Sequence, residues 1–242
     1  MIQNVFAPEL AAARQQQFLT EADAFRRARS ARPAVRRPTV ATRFTRAVRT
    51  FAVNRAGVRI RPIRPSDADL LRGGFDRLSP QSRRLRFLSP KHELSAAEVR
   101  YFTDVDHHDH EALVAVSRIG GRGIGVARFV RIRDEETTAD VAVTVVDAWQ
   151  GRGLGTELVA RLAVRARQEG IWRFTALMSS ENQRARRLLR TLGGPVTVIG
   201  RDAGTVLYEV GLVSPERSPA AGRLRVGAAS PLGAACVTGT CA

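Results

Sequence analysis

The sequence predicts an α/β protein of the α+β kind, a mixed sheet covered by helices. Three observations carry that expectation. A glycine-rich turn at residues 120–125 separates two short apolar runs, as in an antiparallel hairpin. A β-branched run, Ala139–Val146, leads through clustered glycines into a stretch with Leu154, Leu158, Leu162 and Ala166 at four-residue steps, the mark of an amphipathic helix against a sheet. Beyond it the pattern reads strand, helix, strand, strand. Only one clear strand–helix–strand unit stands near the glycines, which argues against a dinucleotide-binding fold.

Taken in chain order, VRIRPI at 58–63 alternates apolar and basic residues and reads as an edge or half-buried strand. Ser66 and Asp69 have capping-box spacing and open a helix over 67–78, with Leu70, Leu71, Phe75 and Leu78 inward and Pro80 as its stop. A short helix over 81–87 follows. Ser95 with Glu98 repeats the capping box before a helix holding Val99 and Phe102. Residues 111–118 and 125–131 pair as a hairpin around 120–123. Residues 134–138 are polar and turn-like. A helix over 153–169 ends at Gly170. Residues 171–178 form a strand, and Ser180 with Gln183 gives a third capping box. The next helix carries Ala185, Leu188, Leu189 and Leu192 and closes at Gly193 and Gly194. Two strands, 196–199 and 206–213, turn through RDAG.

Composition bounds the rest. The chain is 44% hydrophobic and 26% charged, which fits a folded domain. No stretch approaches 18 apolar residues without a charge, so no membrane span is expected. Its first residues also lack the pattern of a signal peptide. Cys236 and Cys241, the two cysteines, fall near the end and cannot frame a disulfide scaffold. They are compatible with a cytoplasmic location. Net charge is +16, and residues 1–57 hold 11 Arg against three acids. Residues 26–50 contain no acid and no clean period. They read as a basic, disordered arm, for which nucleic-acid or membrane-surface contact is the functional alternative. The expected organisation is therefore an arm at 1–57, a domain at 58–213 and a disordered tail at 214–242.

The run from Gln150 to Gly155 carries the chemistry. Between a strand and a helix, consecutive backbone N–H groups can face one anion, and the helix N-terminus adds partial positive charge. Gly151, Gly153 and Gly155 would let oxygens approach the backbone, and Arg152 would add a cation. The glycines alone fit a tight turn without a ligand equally well. A nucleotide P-loop is excluded because the required Lys is missing, and the dinucleotide fingerprint because the third Gly comes one residue early. His107, His108, Asp109 and His110 read as a polar loop, since adjacent residues converge poorly on one metal. Trp149 and Trp172 read as packing residues.

Residues 141–192 resemble the cofactor-binding core of the GCN5-related N-acetyltransferase family. A strand, then [QR]-x-x-G-x-[GA], then a helix is that family's pattern, and Gln150, Gly153 and Gly155 match it. The resemblance extends over about 58–213 and implies a mostly antiparallel central sheet flanked by helices. It implies acetyl-CoA as cosubstrate, with the pyrophosphate held by Gln150, Gly151, Arg152, Gly153, Leu154, Gly155 and Thr156. Val143, Val145 and Val146, on a strand that splays from its neighbour, would meet the pantetheine arm. Asn182, at the start of the next helix, is typical of the family as well. The runs RPIRPSDADLLRGGFDRLSPQSRRLRFLSP and NQRARRLLRTLGG look like those of bacterial transferases that acetylate protein lysines.

By that resemblance, the implied reaction is attack of a neutral amine, on a protein lysine or a small molecule, on the thioester. The lysine-modifying relatives place a Glu at the start of the motif strand, and Asp140 occupies that place as candidate general base. Its shorter side chain favours a water relay, and a strand-start cap is its structural alternative. Asp147 is a weaker candidate, with a turn role. Many members protonate the leaving thiolate with a Tyr on the last motif helix, which this chain lacks; Tyr208, on a late strand, reads as structural. The competing function is an inactive acyl-CoA-binding module whose arm contacts nucleic acid or a protein. The acyl chain, acetyl or propionyl, is left open.

Overall fold

A computed structural model describes residues 57–133, 135–202 and 204–212. The expected arm at 1–57 (Gly57 excepted) and the expected tail lie outside the described residues. Strand β1 (Val58–Pro62) leads through a 3-10 turn (Pro65–Asp67) into α1 (Ala68–Asp76), α2 (Pro80–Phe87) and α3 (Ala96–Thr103). The hairpin is β2 (His110–Ser117) and β3 (Gly123–Ile132). Then come β4 (Glu135–Val145), a 3-10 turn (Asp147–Trp149), α4 (Leu154–Gln168), β5 (Arg173–Ser179) and α5 (Gln183–Arg190). Strands β6 (Gly193–Asp202) and β7 (Thr205–Leu212) complete the described chain.

Among the described residues the strands form one sheet, ordered β1-β2-β3-β4-β5-β7-β6. Every neighbouring pair is antiparallel except β4 and β5. The alternation of a strand assigns its residues to two faces. Leu113, Ala127, Phe129, Val141, Phe174 and Tyr208 face α4, where Leu158, Leu162 and Ala166 are fully buried. Ala112 and Val114 face the other way and cluster with Ile63 and Val105. The sheet is thus covered on both sides, with α1–α3 over the second face.

Local chemistry moved several boundaries. The opening turn is not capped by Ser66 but organised by buried Asp67. Its carboxylate accepts from the Arg64 N–H at 2.8 Å and from both terminal nitrogens of Arg61 at 2.6 Å. A bidentate guanidinium outcompetes a hydroxyl as anchor. Burial pushes Asp67 upward, but Arg61 and the Arg64 N–H outweigh it and hold the carboxyl below its ordinary value. Pro80 does not merely stop α1; it occupies the first turn of α2 behind the cap Ser79. The Ser95–Glu98 box stands as expected, with bonds of 2.9 and 3.2 Å. The third box shifts to Asn182, whose side chain accepts from the Ala185 N–H at 3.0 Å. Residues 135–138 are strand, not turn: Glu135 pairs with Ile132 of β3 across a bulge, and Thr138 pairs with Arg173 of β5. Gly193 and Gly194 begin β6. A Cβ on Gly194 would stand 2.0 Å from the Gly211 carbonyl oxygen, so glycine there admits close strand approach rather than only ending a helix.

Candidate active site

The β4–β5 ladder holds only three residue pairs: Thr138 with Arg173, Ala139 with Phe174 and Asp140 with Thr175. Beyond Asp140, β4 continues to pair with β3 as far as Val145, while β5 turns to β7. The sheet therefore splits at Asp140. The Trp172 N–H donates to the Thr137 carbonyl at 2.8 Å, which fixes odd-numbered β4 residues as those whose backbone groups point toward β5. Val141, Val143 and Val145 point their backbone groups into the split. Val146 has both backbone groups engaged elsewhere, donating to Ile124 O and accepting from Trp149 N.

At the far end of the split lies the glycine loop. Gly151 and Gly153 both have φ of +72°. Gly153 is the residue preceding α4 and offers no side-chain cap. The first α4 backbone bond in this turn is Glu157 N–H to Gly153 O, at 3.1 Å. The N–H groups at the start of α4 lie ahead of its first full intrahelical bonds, and α4 directs its positive end at the same place. A turn of this shape at a helix N-terminus can accept an anion. Arg152 is exposed and stacks 5.3 Å above the Trp149 ring. Leu154 turns its side chain into the core.

Gln150 ties three elements together. Its Nε2 donates to Val145 O at 3.0 Å and Ser82 Oγ at 3.2 Å, and its Oε1 accepts from Arg184 Nη1 at 2.7 Å. Asp147 adds a second tie: it accepts from the Ser79 N–H at 2.9 Å, the Ser79 hydroxyl at 3.0 Å and the Ser82 hydroxyl at 2.7 Å. Desolvation pushes Asp147 upward, yet those bonds outweigh it and the carboxyl stays below its ordinary value. The expected turn residue is a brace between β4 and α2.

A cavity of about 180 Å³ opens along the split, reaching from Asp140 and Val143 on β4 to Met178 on β5 and Asn182 and Leu188 on α5. Its opposite wall comes from α2 and α3, with Arg86, Phe87, Tyr101 and Phe102. Thr175 donates its hydroxyl to Asp140 Oδ1 at 3.3 Å. The cradle at one end and a carboxylate at the other suit a long thiol ester with an anionic tail.

The sequence profile of the Acetyltransferase (GNAT) domain matches residues 57–194. The chain belongs to the GNAT acetyltransferase family. It is 34% identical over 151 residues to Acetyltransferase Pat of Mycolicibacterium smegmatis, covering 62% of this chain and 44% of that protein. The chain thus spans less than half the length of that curated relative. The GNAT domain of S. lividans PAT superposes with a TM-score of 0.58 at 32% identity, covering 64% of this chain and 90% of that one. YncA of Salmonella typhimurium, a putative acetyltransferase solved with its cofactor acetyl-CoA, shares the fold at a TM-score of 0.52 and 21% identity, covering 68% and 99%.

Within this GNAT domain the other expected residues settle as follows. Tyr208 is buried in the core beside α4, as expected of a structural residue. His107 and Arg165 close on Glu111, which is fully buried, at 2.8 and 3.2 Å; His108 reaches Glu169. His107 and His108 contact carboxylates at the opposite end of the sheet, and no metal-type cluster occurs among the described residues. Trp149 packs against the core, whereas Trp172 is 52% exposed, with the Arg167 guanidinium 5.9 Å from its ring. Sequence reading missed Arg86 and Arg128. Arg128 interrupts the apolar run GVARFVR on a central strand, and that interruption was the available signal. Among the described residues, no helix is long and apolar enough to cross a membrane.

Proposed function

We propose that this GNAT domain transfers an acetyl group from acetyl-CoA to the primary amine of an acceptor, a protein lysine or a small molecule. The reading rests on one observation: the sheet splits at Asp140, and its open β4 edge runs from that carboxylate to the glycine loop at the N-terminus of α4. Acetyl-CoA would supply the acyl group as a thioester. Gly151, Gly153, Gly155 and Thr156 would hold its pyrophosphate through backbone N–H groups, with Arg152 and Leu154 between them and Gln150 bracing the loop. Val143 and Val145 would bond the amides of the pantetheine arm, Val146 shaping the end of that edge. Asn182 borders the same cavity from the start of α5.

Transfer forms the bond from amine nitrogen to acyl carbon and breaks the carbon–sulfur bond. The amine must shed a proton, and Asp140 would accept it, directly or through one water. The thiolate leaves without a dedicated acid, because it is a weak base whose conjugate thiol is acidic enough to be partly ionised near neutral pH. Calorimetric titration with acetyl-CoA tests the reading. Saturable binding is expected; no heat up to about millimolar ligand, the weak end of useful affinities, would remove both the enzyme and the binding-module readings.

A further inference from the structure

The acceptor side of the split is unusually cationic for a buried place. Arg128 lies on β3 opposite Ala142, on the face that also carries Asp140, and is 6% exposed. It is held by the Phe102 carbonyl at 3.1 Å and by His110 Nε2 at 3.2 Å, and it stacks 4.1 Å over the Phe102 ring. Arg86 descends from α2 into the same cavity, within electrostatic reach of Asp140, Tyr101 and Arg128. Among the described residues no hydrogen bond holds its guanidinium. Burial lowers both guanidinium pKa values. Repulsion from Arg86 lowers Arg128 further, to about 9.

The charges lining this space can be counted. Glu98 is matched by Lys91 at 2.7 Å. Among the described residues the rest of the wall then carries one carboxylate, Asp140, within electrostatic reach of Arg86, and two guanidinium groups, Arg86 and Arg128. A half-buried cation short of counter-charge is costly, and a ligand anion would relieve it with paired, directional bonds. Arg86, Phe87, Phe102, Arg128 and Ala142 also form the wall of an adjoining apolar cavity of about 60 Å³, lined further by Leu70, Phe75 and Leu78.

We infer that the acceptor is a small amine carrying a carboxylate close to its amino group and an apolar body. This rests on the transferase reading above. Arg86, with Arg128 behind it, takes the carboxylate; the amine then faces Asp140, and the apolar body enters the second cavity. A lysine within a protein chain fits less well, because its amine stands at the end of a four-carbon stem with no carboxylate beside it.

The test uses the full chain and compares apolar and aromatic amino acids with their carboxamides, alongside an internal lysine in a blocked peptide. The carboxamide amine is the less basic, so more of it is neutral, and chemistry alone favours the amide. Preference for the free carboxylate is expected, with kcat/KM for that form falling about tenfold or more in R86Q while the amide is unaffected. Equal or better turnover of the amides or of the peptide lysine overturns the inference, as does an R86Q loss common to every acceptor. Acetyl-CoA binding without turnover of any amino acid overturns the inference alone. Absence of acetyl-CoA binding overturns the transferase reading with it.

Discussion

Ser79 gives Asp147 both its backbone N–H and its hydroxyl, at 2.9 and 3.0 Å, across 68 residues of sequence. Asp147 opens the 3-10 turn just after β4 and Ser79 caps α2, so this pair ties the helix bearing Arg86 to the end of the strand bearing Asp140. D147A should therefore weaken acetyl-CoA binding several-fold and speed hydrogen exchange along residues 80–87, with little change along α4. Uniform exchange across the domain would point to general destabilisation instead.

Asp140 should separate chemistry from binding. D140N is expected to lower kcat by about 10²–10⁴-fold, the range for loss of a positioned base, with acetyl-CoA affinity unchanged by calorimetry. Unchanged turnover would remove Asp140 from the mechanism.

The cradle glycines should divide by backbone and by space. Gly153 has φ of +72°, so G153A is expected to cost about 1–2 kcal/mol in urea unfolding. A Cβ on Gly155 would meet Leu188 and Val145 at 3.7–3.9 Å, ordinary contact, so G155A should leave stability nearly unchanged. A fall in acetyl-CoA affinity for G155A without a fall in stability would report a ligand against that backbone.

Asp67 gives a pH dependence with a defined sign. Its folded carboxyl titrates below the ordinary value of 3.8, so its stabilisation is present above that value and is lost as pH falls through the folded pKa. D67N should be less stable than the parent by about 2 kcal/mol near neutral pH, the scale of a charge-assisted bond. The gap should close only below the ordinary carboxylate range. A gap independent of pH would show that the effect is steric.

Hydrophobic period and glycine position made most of the fold legible. The β4–loop–α4 segment was readable because a branched run, three glycines and a four-residue leucine step are each local signals. The caps were less so. Asp67 replaced Ser66 because its partner, Arg61, is charged and bidentate, and Asn182 displaced Ser180 because the helix starts later than the spacing suggests. The charged wall was the hardest to read. Arg86 on α2 and Arg128 on β3 stand 42 positions apart in sequence, and only the sheet and its covering helix bring them to one cavity.

The split after Asp140 has a further consequence for folding cooperativity. A central strand normally bonds on both sides, yet β4 leaves one side open along Val141–Val145. Strands β1–β4 and β5–β7 are thus stitched by three residue pairs. An extended ligand with amides of its own would act as the missing length of strand, so occupancy and rigidity become one equilibrium. On that view the candidate cleft is also the seam at which the sheet would open first.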